Sequence, residues 1–460
     1  MDLAWISLIA LLITIVVSCT TAVNPGVLAI VFAWLIGVYV APLCGQEIGL
    51  KTVVAGFPAD LLVTLVGVTL LFAQAQVNGT LDRVAARAVR GCRGNTGLIP
   101  IMFFGLALSI ASIGAGNIAA AALVGPTAMA VAARAGISPF LMTIMVAHGA
   151  VAGALSPFSP TGIIAAKLMT NMDLQGNEWP IFGYNLLSNS LAAFAGYFLF
   201  GGVRLFRRRF ADDLPGPAQS PSLDLANDAN ASTTERAESI RLQAGMSDAR
   251  SAADAQSDNS ASFEVRHWVT LGLVALLVFG VLCFGVDVGL GAFAAAVVLT
   301  LLRMADERRA VQAMPWSVML MVCGVTVLTA LLNRTGGLDR LTTLVSSVST
   351  LRSITGFIAL VSGIVSVYSS TSGVVLPAFL PMTPGLVEQL GGSDALAISS
   401  SIIVGGHLVD VSPLSTIGAL CIASVAAGED RRVLFNKVLA WGLLMAPLGS
   451  VFCYLCFGLR

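Results

Sequence analysis

Two clusters of hydroxyl, amide and glycine residues interrupt otherwise apolar runs. Ser109, Ser112, Gly114, Gly116 and Asn117 form the first; Ser366, Ser369, Ser370, Thr371, Ser372 and Gly373 form the second. A helix that ends inside a membrane leaves carbonyls unpaired, and the helix that follows starts with unpaired N–H groups. Carbonyls and hydroxyls together suit a small hard cation, while N–H groups at a helix start suit a carboxylate. Tight helix packing also uses small residues, but two tips at equivalent places favour binding. A second pair of motifs lies further on: Ser156-Pro157-Phe158-Ser159-Pro160-Thr161-Gly162 and Ser412-Pro413-Leu414-Ser415-Thr416-Ile417-Gly418. Proline removes a backbone donor and clashes with the preceding turn, so both segments should unwind and free carbonyls for hydroxyls or an ion.

Ionisable residues near these breaks need an account. A carboxylate at the centre of a membrane helix costs roughly 2.5–3.5 kcal/mol on insertion scales. Asp410, two residues before Ser412, should therefore face a cavity or a cation, and proton or cation coupling is its natural role. The His407–Asp410 spacing allows a hydrogen bond on one helix face. His148 lies eight residues before Ser156. Lys167 could attract an anion, although a lysine near a helix end commonly snorkels to the interface. The sequence has no P-loop, no Cys/His zinc spacing and no nucleophile with a matching base, so an enzyme is not expected and transport must run on gradients. Cys453-x-x-Cys456 sits in an apolar terminal run and reads as packing rather than a redox pair.

The elements that must hold these residues are membrane helices. Hydrophobic residues are 56% of the 460-residue chain and charged residues 11%, with a mean hydropathy of +0.87. Charges balance at 25 basic and 25 acidic residues, which gives no electrostatic case for nucleic acid. Spans are expected near 4–21, 26–44, 60–77, 138–170 and 184–203, and again near 267–288, 289–303, 316–333, 394–426 and 434–457. Two stretches, 97–133 and 353–387, have arms too short to cross comfortably and read as re-entrant helical hairpins.

The chain is also written twice. Gly67-Val68-Thr69, Gly79, Leu81, Asp82 and Arg83 recur 257 residues later as Gly324-Val325-Thr326, Gly336, Leu338, Asp339 and Arg340. A duplicated membrane protein with Ser/Gly/Pro breaks in matching spans is the signature of a secondary transporter. The expected fold is all-α: two inverted repeats of five transmembrane helices, each with a re-entrant hairpin. Residues 1–203 form the first repeat and 267–460 the second. The Ser/Ala/Asp-rich stretch 204–266 reads as a disordered linker. Arg83, Arg87, Arg90, Arg93, Arg134, Arg204, Arg207–Arg209, Arg303, Arg308, Arg309, Arg431, Arg432 and Lys437 then fall in the cytoplasm with the linker. Both termini fall outside, as do the exceptions Lys51, Arg334, Arg340 and Arg352.

At the motifs Gly114-Ala115-Gly116-Asn117-Ile118-Ala119 and Gly153-Ala154-Leu155-Ser156-Pro157-Phe158-Ser159-Pro160-Thr161-Gly162, residues 1–170 resemble the N-terminal region of MatC-type dicarboxylate (malonate) carriers. The wider architecture is similar to the divalent anion:sodium symporters of the ion transporter superfamily. That resemblance implies an elevator-type homodimer in the inner membrane. It also implies Ser-Asn-Thr motifs at the hairpin tips that hold substrate carboxylates and sodium, helped by Thr-Pro motifs in unwound spans. Here Asn117 is flanked by Gly116 and Ile118, the second tip reads Ser369-Ser370-Thr371, and Ser156-Pro157 and Ser412-Pro413 stand where Thr-Pro is expected.

The expectation is cation-coupled uptake of a small malonate- or succinate-like dicarboxylate. Moving one charge through 100 mV is worth about 2.3 kcal/mol, so a dianion entering an inside-negative cell needs at least two cations to cancel the penalty. Ser112, Asn117, Thr161, Ser369, Ser370 and Thr371 are the expected substrate contacts. Ser112, Asn117, Ser156, Ser159, Thr371, Asp410, Ser412 and Ser415 are the expected cation ligands. Sodium or a proton would couple, with no other cofactor, and lipid and a second copy would be the partners. The alternatives are a cation/proton antiporter of the same architecture and a passive channel or sensor signalling through the linker.

Overall fold

The computed structural model describes residues 2–21, 23–90, 95–205, 263–392, 394–425 and 430–459. Most of linker 204–266, with Cys92, Arg93 and Arg207–Arg209, lies outside the described residues. There is no strand among the described residues, as an apolar chain without periodic turn residues dictates.

The principal helices are α1 (Leu3–Thr20), α2 (Pro25–Leu43), α3 (Ala59–Val77), α4 (Thr80–Arg90), α5 (Leu98–Ile110), α6 (Gly116–Ala135), α7 (Pro139–Gly153), α8 (Pro160–Thr170) and α9 (Glu178–Leu199). Then follow α10 (Val265–Phe284), α11 (Val288–Leu301), α12 (Trp316–Thr335), α13 (Gly337–Ser347), α14 (Ile354–Tyr368), a broken limb over 376–389, α15 (Ala395–Val409), α16 (Thr416–Ala423) and α17 (Arg431–Cys453). The order of the first set is repeated in the second. Gly79, between α3 and α4, and Gly336, between α12 and α13, both adopt positive φ (80° and 75°), so the repeated glycine marks the same turn in both copies.

Six segments among the described residues are long and apolar enough to cross a membrane: α2, α3, Leu98–Ala135, α10, α12 and Arg431–Gly458. Shorter apolar helices, including Pro139–Gly153 and Ala395–Val409, lie between them. The protein is a multi-pass membrane protein. The single spans expected over 138–170 and 394–426 are each two helices joined by non-helical turns, α7 to α8 and α15 to α16, because Pro157 and Pro413 cannot continue the preceding helix.

Two apolar cores form, and each draws on both halves of the chain. One joins α1–α3 to α10–α13, with Leu61, Leu65 and Leu71 in the same cluster as Leu299, Val322 and Leu328. The other joins α5–α7 and α9 to α15–α17, with Phe103, Met142 and Met145 in the same cluster as Val404, Leu408 and Met445. Contacts are exchanged reciprocally: α2 packs on α12 and α11 packs on α3. Lipid is as apolar as leucine, so such contacts depend on close backbone approach rather than on escape from water. Glycines supply it. A Cβ on Gly67 would collide with the carbonyl of Gly289, and a Cβ on Gly324 would collide with the carbonyl of Gly26. Gly26 and Gly289 are each the second residue of their helix.

Candidate functional site

The two apolar segments that carry the polar clusters break at those clusters, by different means. Between α5 and α6, Gly114 and Gly116 turn the chain with φ of 134° and 81°. Other residues rarely adopt such angles. Ser109 points away from this break, donating to Gly105 O at 2.7 Å on an exposed face. Between α14 and the 376–389 limb the chain runs extended through Ser369 and Ser370. Ser370 Oγ then accepts from Gly373 N at 3.1 Å, capping the helix that restarts there.

The second break is built onto Asp410. Asp410 ends α15 and is 6% exposed. Its Oδ1 accepts hydrogen bonds from Thr371 Oγ1 (2.7 Å) and Ser366 Oγ (3.0 Å), and the two hydroxyls are 2.6 Å apart. Ser415 Oγ donates to the backbone oxygens of Asp410 and Ser412, closing the unwound segment beneath the carboxylate. The first half has Ala154 at the corresponding position, so no carboxylate stands there. Two buried hydroxyls, Ser112 Oγ and Ser159 Oγ, lack any protein partner at the first break. Ser156 and Ser412 hold their own turns instead: Phe158 N and Leu414 N donate to their hydroxyls at 3.4 and 3.3 Å.

The breaks meet at two adjoining cavities. One, of about 250 Å³, is lined by Asn117 of the first break, by Ser369, Ser370 and Ser372 of the second, and by Asp410 and Ser415. The other, of about 210 Å³, shares Asn117, Ile118 and Ser372 and adds Thr161, Thr69 and Gln76. Of the expected site residues, Asn117, Ser369, Ser370, Asp410 and Ser415 thus share one space. Thr161 faces the neighbouring cavity, and Thr371 reaches the site through Asp410. Ser112, Ser156, Ser159 and Ser412 line neither cavity.

The histidines do something other than their spacing suggests. His407 Nδ1 lies 2.9 Å from Ile403 O within its own helix, and Asp410 takes its side-chain partners from Ser366 and Thr371 instead. The expected His407–Asp410 contact does not form. A back-bond to the preceding carbonyl is always within reach on a helix. His148 sits in a buried chain: Trp441 Nε1 donates to His148 Nε2 at 3.0 Å, and His148 Nδ1 is 2.9 Å from Asn189 Oδ1. Asn189 donates to Asn185, and Asn185 Nδ2 donates to Val151 O at 2.8 Å, in the last turn of α7. The indole N–H fixes Nε2 as acceptor, so Nδ1 carries the proton. Lys167 pairs with Asp60 at 3.0 Å, tying α8 to α3.

Sequence reasoning missed part of the lining. Ser18, Thr21 and Asn24, at the junction of α1 and α2, reach the cavity with Ser317, Met321 and Tyr368. Ser18 Oγ lies 3.1 Å from Ser369 Oγ. Ser18 lies in the last turns of α1 while Thr21 and Asn24 lie beyond its end in extended backbone, so no helical period marked the three as one lining. Thr69, inside the repeated Gly-Val-Thr motif, was legible as duplication but not as lining.

The site offers one carboxylate for a proton or cation, several hydroxyls and an amide. No group of three or more His, Cys, Asp or Glu able to hold a metal occurs among the described residues. Residues 1–154 match the family described as the N-terminus of the dicarboxylate carrier protein MatC, which bears out the resemblance drawn from the motifs. Among solved structures the chain is similar to Neisseria gonorrhoeae MtrF, described as illuminating a class of antimetabolite efflux pumps. The identity is 15%, 96% of each chain is covered, and the TM-score is 0.55. No curated protein matches the chain. The fold is that of a membrane transporter.

Proposed function

We propose that this chain is a secondary active transporter that moves a small dicarboxylate together with cations by an elevator-type displacement. The observation that carries the reading is the shared cavity. Asn117 from one broken helix and Ser369, Ser370 and Asp410 from the other face a single space of about 250 Å³. Hydroxyl and amide donors at helix starts suit carboxylate oxygens. The Asp410 carboxylate and the carbonyls around Ser415 suit the accompanying cation. At the first break the unpartnered Ser112 and Ser159 hydroxyls are the neutral counterpart, a second cation position without a carboxylate.

In this reading the two halves are inverted repeats and the broken segments are re-entrant hairpins. The reciprocal contacts of α2 with α12 and α11 with α3 support it, since such exchange is the mark of a two-fold relation. So do the repeat-related threonines Thr69 and Thr326, which line different cavities. The core of α5–α7 and α9 with α15–α17 is the moving body and the core of α1–α3 with α10–α13 is the frame, held in a homodimer of the inner membrane, with the second break packed against the frame through Val374, Val375 and Leu376.

The test is uptake of labelled malonate or succinate into proteoliposomes under imposed sodium or proton gradients. Uptake that rises with one gradient is expected; gradient-independent uptake, or none, removes the coupled symport. Asp410 also favours a second reading, a cation/proton antiporter in which the carboxylate exchanges ions and no organic anion binds. Dye-reported proton movement on adding sodium, without any carboxylate present, selects that reading instead.

A further inference from the structure

A crevice of about 490 Å³ lies at the start of α7, away from both breaks. Its wall is apolar and largely aromatic. Phe140 and Phe200 stack edge-on at 4.9 Å, and Trp441 lies 5.8 Å from Phe200, with Leu444 one turn further along α17. Its rim is polar and basic. Lys437 stands exposed at the lip on the same face of α17 as Trp441 and Leu444, with no carboxylate within ion-pair distance among the described residues. Opposite it, Ser138 begins α7 without capping it, so the positive end of a 15-residue helix is open to the rim. Asp430 lines the adjoining smaller cavity, but its Oδ1 already accepts from Arg432 N and Val433 N at the start of α17. Arg134, Arg204, Arg431 and Arg432 lie within six residues of Ser138, Phe200 or Lys437 along the chain.

We propose that this crevice seats one anionic phospholipid. The phosphate lies against Lys437, the Ser138 hydroxyl and the start of α7. An acyl chain lies along Phe140, Phe200, Trp441 and Leu444. A basic pocket between helices at the membrane surface suits an acidic headgroup, and an aromatic wall below it suits the acyl chain at the interface. Free phosphate would leave that wall uncovered, and a zwitterionic lipid would leave Lys437 unneutralised. The site is independent of the proposed transport and can be tested without it.

The test places the full chain in phosphatidylcholine bilayers containing brominated phosphatidylglycerol or, at the same fraction, brominated phosphatidylcholine. Tryptophan fluorescence should be quenched more by the former, and Trp441→Phe should abolish that excess. Lys437→Gln should remove a preference of roughly fivefold, the contribution of one surface cation. Equal quenching by both lipids, or a preference that survives Lys437→Gln, overturns the proposal. Quenching by neither means that something else, such as a helix of a second copy, fills the crevice, and overturns it equally. Trp441→Phe strands His148 Nε2 and weakens the fold. Co-purified phosphatidylglycerol, counted by native mass spectrometry on the exposed Lys437→Gln variant, is therefore the independent readout; undiminished retention counts against the site.

Discussion

At the residue scale, Asp410 separates the two halves chemically. It lines the cavity and holds two hydroxyls on one oxygen, while the corresponding residue of the first half is Ala154. Hydrogen bonds to a charged group are worth about 1.5–3 kcal/mol. Thr371→Val keeps the carboxylate and the volume but deletes one such bond. It is expected to weaken apparent cation affinity roughly 10- to 100-fold, whereas Asp410→Asn should abolish the ion dependence of uptake. Both are read from uptake rate against cation concentration in proteoliposomes, and unchanged ion dependence in Asp410→Asn dismisses the carboxylate as a coupling site. Asp410 was legible in the sequence because an ionisable residue beside a proline break inside an apolar run is costly. The partners Ser366 and Thr371 lie 44 and 39 residues away along the chain, a relation no local spacing reveals. His407 misled for the opposite reason: a local spacing was available, and a helix carbonyl satisfied the ring instead.

At the scale of elements, repetition pointed to two like halves, but the repeated residues serve packing more than chemistry. Gly67 and Gly324 opened the reading as duplicated motifs, and each proves to be where one helix lies against a glycine of the other half. Gly162 and Gly418 likewise abut the carbonyls of Ser156 and Ser412, which explains the spacing of the Ser-Pro motifs. Adding a side chain at a full contact costs about 1–3 kcal/mol. Gly67→Val and Gly324→Val should each lower the thermal midpoint of the purified chain by several degrees. Gly272→Ala, where nothing stands within 4 Å, should leave it unchanged or raise it. Equal midpoints in all three variants rule out the glycine crossings as sources of stability. The broken spans were legible from Pro157 and Pro413; the extra polar lining at the α1–α2 junction was not, because Ser18 and Asn24 acquire meaning only once α12 and the second break fold against them.

At the scale of the whole molecule, the two cores are each assembled from both halves, and the proposed inverted arrangement makes a direct prediction. Arg87→Cys and Arg340→Cys, both exposed, should be labelled by a membrane-impermeant maleimide from opposite sides of the membrane. Labelling from one and the same side would dissolve the inverted pairing, and the elevator reading with it. Gly26 touches the backbone at Gly324, 298 residues later in the chain (324 − 26). At roughly 5–20 residues per second of synthesis, the leading helices wait on the order of 15–60 s before the segments that cover them leave the ribosome. Throughout that interval the face of α2 that meets α12 has only lipid or an insertion factor against it, so biogenesis, more than the finished protein, is where this interlaced design is most vulnerable.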